Sequence, residues 1–217
     1  MDIKTILEDS YTEIEKKHAR DTKRIGWGRY TDVLYSFTAL FAVGVYIYNK
    51  GHGYHGDIYK YIKTADGKRQ NLWSRSCLLE LYDTSPQSKW MTELCKVITP
   101  LAEVYDSIGN LFPVYPGGNQ FKGTCGCLDM PDIFFLNEQV LKLELYYTSE
   151  LLCTDPLLDD IINNPLVNDV SELYGLGKEN YDKLIKAIVS RINSRQAAIY
   201  ERLGNTADKG KARRHSV

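Results

Sequence analysis

The uncharged, mostly apolar stretch from Val33 to Tyr48 constrains the fold most, because a stretch of this kind has to be buried. It contains 16 residues, whereas a helix that spans a bilayer needs about 20. Tyrosine, serine, threonine and glycine interrupt it, so we do not expect a membrane segment. Its aromatic and β-branched residues also suit a strand, but its length favours a helix. We therefore predict a buried core helix over residues 31–48.

Three further segments carry apolar side chains at the helical spacing that a buried helix needs in its packing partners. They cover residues 2–24, 86–105 and 178–203. We expect the first and the last to pack near one another, with residues 31–48 and 86–105 buried against them. The last segment is the clearest helix, and its apolar stripe consists of Tyr181, Leu184, Ile185, Ile188, Ile192, Ile199 and Leu203.

Proline and glycine predict where these helices begin and end. Ser85-Pro86 places a capping residue before a proline, which is typical of the first turn of a helix. Pro100 is expected to kink the same helix, or to split it with Thr99 as a new cap. Gly204 should end the last helix, and residues 205–217, which are basic and poor in apolar side chains, should form a disordered basic tail.

Short turn signals complete the predicted fold. The run from Ala65 to Lys68 is typical of a tight turn, which favours a hairpin between the short segments beside it. We predict a mainly α protein, a single compact helical domain over residues 1–204. Beyond its helices it should contain at most a small β-hairpin and a long Gly/Pro/Asn-rich loop.

Composition limits the classes of partner. The formal net charge is -1, so no overall field attracts nucleic acid or an anionic membrane. Basic residues do cluster in the N-terminal helix, which leaves nucleic-acid binding open at that surface. The five cysteines are an odd number and the sequence has no signal peptide, so we expect a reduced, cytoplasmic protein.

The segment 106–132 is long and rich in glycine, proline and asparagine, and loops of such length in a compact domain are often functional. Its glycines allow backbone N–H groups to approach a ligand closely, and Lys122 is placed to neutralise a phosphate. The spacing of a Walker phosphate-binding loop is absent. The alternative is a compact structural loop whose asparagines satisfy the turn backbone. We predict ligand contacts at Tyr105, Asn110, Tyr115, Gly117, Gly118, Asn119 and Lys122.

Histidines and cysteines raise the question of a metal site. His52 and His55, together with Cys125 and Cys127, are residue types that hold zinc, but neither pair has the usual spacing. We therefore expect two solvent-facing histidines, two loop thiols, and no metal or other cofactor. The aspartates within and after residues 106–132, among them Asp132, are expected to be structural rather than ligands of Mg²⁺.

One resemblance attaches to the glycine-rich segment. Its residues Ser107 to Leu111, followed by Pro113 and Asn119, resemble the IGNL…N segment of HNH-type nuclease domains. In that family the segment follows a catalytic motif, an acidic residue before His-Ile-x-Pro. That motif is missing from this sequence, so the catalytic inference does not carry over.

The second half of the chain is also similar to an uncharacterised family of bacterial proteins of comparable length. The similarity implies no activity, because none is attached to that family. The similarity consists of four short motifs in the same order, which are here Ile108 to Asn110, Phe112-Pro113, Asn119 to Gly123 and Asp129 to Asp132.

Because no stretch carries a complete catalytic signature, the sequence favours a non-enzymatic binding or regulatory protein. Such proteins are typical of bacteria, phages and mobile elements, including their defence and counter-defence systems. We expect this one to recognise a protein or a nucleotide-type ligand through residues 106–128. The alternative is a degenerate or divergent HNH-like enzyme that cleaves nucleic acid, with candidate residues His52, His55, Asp57 and Asn119.

Overall fold

A computed structural model describes residues 2–8, 12–25, 27, 31–49, 61–63, 69–71, 75–113, 130–136, 161 and 163–214. This part of the chain is mainly helical, as predicted, with two short antiparallel strand pairs. Its helices are α1 (Ile3–Glu8), α2 (Thr12–Arg24), α3 (Phe37–Tyr48), α4 (Arg75–Thr84), α5 (Lys89–Val104), α6 (Pro131–Leu136), α7 (Val170–Gly175) and α8 (Lys178–Arg214). Its strands are β1 (Thr31–Val33), β2 (Tyr61–Lys63), β3 (Arg69–Asn71) and β4 (Leu111–Pro113), and a 3₁₀ turn covers Ile108–Asn110.

The uncharged run forms the central helix of the core, α3, but this helix begins later than predicted. Ser36 caps it, because the Ser36 Oγ accepts a hydrogen bond from the Ala39 N–H at 3.2 Å. The helix is buried along almost its whole length and packs against α4, α5, α7 and α8. Among the described residues, no helix combines the length and apolar character needed to cross a membrane.

Residues 31–33, which we expected to be helical, form the strand β1 instead. This strand pairs antiparallel with β4, and Asp32 lies opposite Phe112. The Leu34 N–H continues the contact by donating to the Asn110 carbonyl at 2.6 Å. Because the two strands lie far apart in the sequence, local periodicity gives no sign of their pairing.

The second strand pair confirms part of the predicted hairpin. β2 and β3 pair antiparallel, with Ile62 opposite Gln70. The turn residues Ala65 to Lys68 lie outside the described residues.

The helix α5 begins and continues differently from the prediction. Its cap is Ser88, whose Oγ accepts from the Met91 N–H at 3.3 Å, whereas Ser85 belongs to the turn before it. The helix runs through Pro100 without ending. Thr99 is not a cap, because its hydroxyl donates back to the Cys95 carbonyl at 2.6 Å, within the same helix.

The C-terminal helix α8 extends to Arg214, beyond the end that we predicted at Gly204. Residues 205–214 are therefore helical rather than an irregular tail. α8 packs against α3 and α5, and the Arg24 guanidinium at the end of α2 donates to the Leu203 carbonyl at 3.3 Å. The expected proximity of the N- and C-terminal helices is thus confirmed.

Gly44 allows α3, α5 and α8 to pack closely at one point. A Cβ atom at this position would lie 2.6 Å from the Tyr181 Oη and closer still to the Leu94 Cδ1. The Tyr181 hydroxyl is itself fixed, because it donates to the Leu40 carbonyl at 2.7 Å in a fully buried position. A larger residue would therefore have to push α3 away from both of its partners.

We predict that Gly44→Ala lowers the free energy of unfolding by about 1–3 kcal/mol, the usual cost of an overpacked core. The matched control is Gly204→Ala in α8, where a Cβ atom would meet nothing within 4 Å. Alanine there should raise stability by about 0.5–1 kcal/mol through its higher helix propensity. Urea denaturation of both variants measures the two effects, and equal effects would contradict the packing described for Gly44.

Candidate functional site

The first part of the predicted loop is an ordered element of the core. The residues Ile108, Gly109 and Asn110 form the 3₁₀ turn, and the next three form β4. All of the turn is buried, and Ile108 and Asn110 have no exposed surface. A polar turn in such a place is tolerated only when its hydrogen-bonding groups find partners within the protein.

The Asn110 side chain supplies several of these partners. Its Nδ2 donates to the carbonyls of Tyr35, at 3.2 Å, and Tyr105, at 3.0 Å. Its Oδ1 accepts from the Tyr35 N–H at 2.9 Å. One amide thereby joins Tyr35, which precedes the Ser36 cap of α3, to Tyr105, the residue after α5, and so fixes the turn between the two helices.

Arg195 binds the same turn from the side of α8. This arginine is fully buried, and its Nη1 donates to the Gly109 carbonyl and, at 2.9 Å, to the Leu111 carbonyl. Its guanidinium carbon lies 5.8 Å from the centre of the Trp27 ring, a distance at which a cation is attracted by the ring face. The charge is therefore placed between two carbonyl dipoles and an aromatic face.

Gly109 allows the turn to approach α8 at backbone distance. A Cβ atom there would lie 2.9 Å from the Gln196 backbone nitrogen and still closer to the Ile192 carbonyl. Since both neighbours belong to a helix backbone, neither can move aside as a side chain would. The sequence Ile-Gly-Asn thus has a packing role at each of its three positions.

A second buried arginine contact lies at the start of α6. Asp132 has a fully buried side chain, and its Oδ1 accepts from the Arg191 Nη1 at 2.9 Å and from the Leu166 N–H at 2.7 Å. The Arg191 guanidinium also donates to the Tyr35 hydroxyl at 3.0 Å and to the Asn164 carbonyl at 2.8 Å. This confirms the expectation that Asp132 is structural.

Tyr35 contacts both arginine sites. Its backbone pairs with Asn110, and its hydroxyl accepts from Arg191. Burial raises the pKa of the Tyr35 phenol, and the negative charge of Asp132 raises it further. Tyr35 is therefore a neutral member of a charged cluster.

Arg191 and Arg195 stand four residues apart, so they lie on neighbouring turns of one face of α8. Arg195 holds residues 109 and 111, and Arg191 holds residue 132. Between these contacts the chain leaves the described residues at 113 and returns at 130. We call this arrangement of Arg191, Arg195, Asn110, Asp132 and Tyr35 the arginine platform. It holds residues 109 and 111 on one side of residues 114–129, and residue 132 on the other side, to one helix.

The predicted ligand contacts divide into two groups. Tyr105 and Asn110 are in the core, with exposed fractions of 4% and 0%. The hydrogen bonds of Asn110 fit the structural alternative considered from the sequence, in which asparagine satisfies the backbone of a turn. The remaining positions, Tyr115, Gly117, Gly118, Asn119 and Lys122, lie outside the described residues.

The other candidates from the sequence all lie outside the described residues, namely His52, His55, Asp57, Cys125 and Cys127. Within the described part of the chain, no three histidine, cysteine, aspartate or glutamate side chains are grouped so as to hold a metal ion.

The basic face of α2 is exposed, but part of its charge is compensated. Lys17 pairs with Asp106 at 2.5 Å, and Arg24 lies 3.6 Å from Asp21. Arg20 and Lys23 are also exposed on this helix. On the same helix, the His18 Nε2 lies 2.7 Å from the Asp106 carbonyl oxygen. This contact connects α2 to the residues that precede the 3₁₀ turn.

Comparison with known protein families, with curated protein sequences and with solved structures finds no match to this chain. The two resemblances noted from the sequence therefore stay predictions. The candidate site rests on the geometry of the chain itself.

Sequence reasoning missed the two arginines that hold the site together. A signal for them was present, because Arg195 occupies the gap in the apolar stripe of α8 between Ile192 and Ile199. Arg191 precedes it by one turn. A charged residue in register with a buried stripe indicates a buried polar contact, because an unpaired charge in that position is too costly.

We predict that Arg191→Met lowers the free energy of unfolding by about 3–5 kcal/mol, because it leaves the buried Asp132 carboxylate without its countercharge. Adding Asp132→Asn to that variant should recover part of the loss, with a coupling of about 0.5–3 kcal/mol. The matched control is Lys186→Met, which breaks the exposed pair with Asp182 on the same helix. Its cost should stay below about 1 kcal/mol. Denaturant unfolding of the wild type, of Arg191→Met, Asp132→Asn and their double variant, and of Lys186→Met measures these values. Additive losses for Arg191 and Asp132 would contradict the pairing.

Proposed function

We propose that this chain is a non-enzymatic binding protein that recognises a protein or a nucleotide-type ligand through residues 106–128. The observation that carries the proposal is the arginine platform, which holds residues 109, 111 and 132, on either side of residues 114–129, to neighbouring turns of α8. In this proposal residues 106–113 belong to the support, and the contacts with the ligand come from the residues after Pro113.

A segment that lies between two such contacts is well suited to binding. Loops carry binding residues most often where a rigid scaffold positions them. Contacts that hold the flanking residues in place before binding also lower the entropic cost of binding. The glycines at 117 and 118 allow close approach of the backbone, and Lys122 supplies a positive charge.

The residue types of the segment favour two classes of ligand. Tyr115 offers an aromatic face with a hydroxyl group, which suits a protein surface or a nucleobase. Lys122 suits a phosphate or an acidic side chain, and Asn119 suits a polar edge. We place the protein in a cytoplasm of bacterial, phage or mobile-element origin, where its five cysteines stay reduced.

The test uses the double variant Tyr115→Ala/Lys122→Ala. We expect it to weaken binding of a nucleoside triphosphate, or of a protein that binds the wild-type chain in stoichiometric amount, by about tenfold or more. Because neither residue belongs to the arginine platform, the denaturation midpoint should not change. Calorimetric titration of the variant and the wild type measures the affinity.

The matched control is Arg20→Ala/Lys23→Ala on the exposed face of α2, which removes positive charge from a different surface. A loss of affinity confined to this control would move the binding site to α2 and to a nucleic-acid ligand. Unchanged affinity in Tyr115→Ala/Lys122→Ala would refute the proposal. Metal-dependent cleavage of DNA or RNA that is lost in His55→Ala would replace it with the nuclease alternative.

A further inference from the structure

Two basic stretches of helix meet where α2 ends. The first covers residues 16–24 in the second half of α2, and the second covers residues 200–214 at the end of α8. The Arg24 guanidinium donates to the Leu203 carbonyl at 3.3 Å, so the first stretch ends against the second. These two residues lie 179 positions apart in the sequence, and only the fold brings the stretches together. We call residues 16–24 and 200–214 the basic surface.

The basic surface is small enough to contact one ligand. Because an α-helix rises about 1.5 Å per residue, Lys16 lies about 12 Å from Arg24 along α2. For the same reason, Arg214 lies about 17 Å from Leu203 along α8. A nucleic-acid duplex carries one phosphate charge per about 1.7 Å of its axis, so a surface of this size can face several phosphates at once.

The charge of the basic surface opposes the charge of the rest of the chain. The surface contains ten basic and three acidic residues, whereas the whole chain contains 27 and 28. The remaining residues therefore contain 17 basic and 25 acidic side chains. A formal net charge of -1 thus combines a region of +7 with a remainder of -8. Such a separation of charge orients the protein so that the basic surface approaches a polyanion first.

The two faces of α2 explain why its basic side chains are accessible. Ile14, His18 and Thr22 are buried and follow one another at four-residue intervals, so they form the face that packs on the core. Arg20 and Lys23 are exposed on the remaining surface of the helix. The fold therefore directs the positive charge of α2 outwards.

The ion pairs within the basic surface do not close it to a ligand. Lys17 pairs with Asp106, and Arg24 pairs with Asp21. The side chains of the two cations nevertheless stay 55% and 41% exposed. Exposed ion pairs contribute little to stability, so a phosphate can take the place of the carboxylate.

The apolar residues at the basic surface distinguish a nucleic acid from a membrane. A helix that lies on a bilayer inserts large apolar side chains into it. Ile14 in α2 is buried, and residues 204–214 contain no large apolar side chain. Tyr200 is 48% exposed, but one tyrosine does not form an apolar face. Positive charge beside an exposed aromatic ring is instead the combination that holds a single nucleic-acid strand without reading its sequence.

We propose that the basic surface binds a single strand of nucleic acid through its phosphates, without preference for sequence, and that Tyr200 stacks on one of its unpaired bases. The basic surface is separate from the segment after Pro113 that we propose to bind a ligand. The inference therefore does not depend on the function proposed for residues 106–128.

The test titrates the full chain into labelled single strands of DNA and RNA, each about 20 nucleotides long and of mixed sequence, so that the strand is longer than a typical site. At least one strand should bind with a Kd below about 100 µM at about 0.15 M salt, the range of non-specific binding. Raising the salt from about 0.05 M to about 0.2 M should weaken binding by about tenfold or more, because bound cations release counterions from the phosphates.

Two double variants test whether both helices take part. Arg20→Gln/Lys23→Gln in α2 and Lys209→Gln/Lys211→Gln in α8 should each weaken binding by about fivefold or more and make its salt dependence shallower. Tyr200→Ala should also weaken binding by about fivefold or more, because a stacking contact is lost. These variants replace side chains on the outside of the helices or in the last turns of α8, so the denaturation midpoint should change little.

The matched control is Lys183→Gln/Lys186→Gln, which removes the same charge from α8 outside the basic surface. Both lysines are exposed and pair with carboxylates on the same helix. This control should change the affinity by less than about twofold, whereas an equal loss would show that only the overall charge matters.

Several results would overturn the proposal. They are no binding of either strand at low salt, binding that does not depend on salt, and unchanged affinity in Tyr200→Ala or in either charge variant. Tighter binding of poly-glutamate, or of vesicles that contain phosphatidylserine, would assign the surface to an acidic protein or to a membrane. An affinity that is lost in Tyr115→Ala/Lys122→Ala and kept in the variants of the basic surface would assign the strand to residues 106–128.

Discussion

The buried side-chain amide of Asn110 is the interaction on which the rest of the fold depends. It holds the Tyr35 backbone on one side and the Tyr105 carbonyl on the other. These contacts set where α3 begins relative to the end of α5. A turn with so many polar groups is stable in the core only because its partners are already in position. Arg195 in α8 supplies further partners for this turn, because it donates to the carbonyls on both sides of Asn110.

The same contacts connect the core to the candidate site. Arg195 and Arg191 lie one helical turn apart, and they hold the chain before and after residues 114–129. Tyr35 connects the two contacts, because its hydroxyl accepts from Arg191 and its N–H donates to Asn110 in the turn that Arg195 holds. A buried ion pair such as Arg191–Asp132 adds little stability over an apolar contact, but it defines one geometry well. In our account, residues 114–129 depend on the geometry that this ion pair defines in order to present their side chains to a ligand.

Some of the fold could be predicted from the sequence because its signals are local. The apolar stripe of α8 and the uncharged run of α3 are long enough to specify helices with little ambiguity. Local sequence does not determine the helix boundaries. Ser85 and Ser88 are both of a residue type that caps helices, and only tertiary packing selects Ser88. The strand β1 escaped prediction because its partner β4 follows it only after several helices.

The candidate site was harder to predict than the helices. Glycine, proline and asparagine occur both in exposed loops and in buried turns, and Asn110 has the second role although its neighbours suggest the first. What distinguishes the two roles is a partner on a distant helix. Arg195 is that partner, and its position within an apolar stripe was the available signal.

The most direct test of the account is native-state hydrogen exchange at the Tyr35 amide, which donates to the Asn110 side chain. If the Asn110 contacts are part of the cooperative core, this amide exchanges only when the whole protein unfolds. Its free energy of exchange should then equal the free energy of global unfolding measured with denaturant. The exposed Thr5 amide, which donates to Asp2 at the start of α1, should exchange far more readily by local fraying. Exchange of the Tyr35 amide at a free energy close to that of Thr5 would contradict the account.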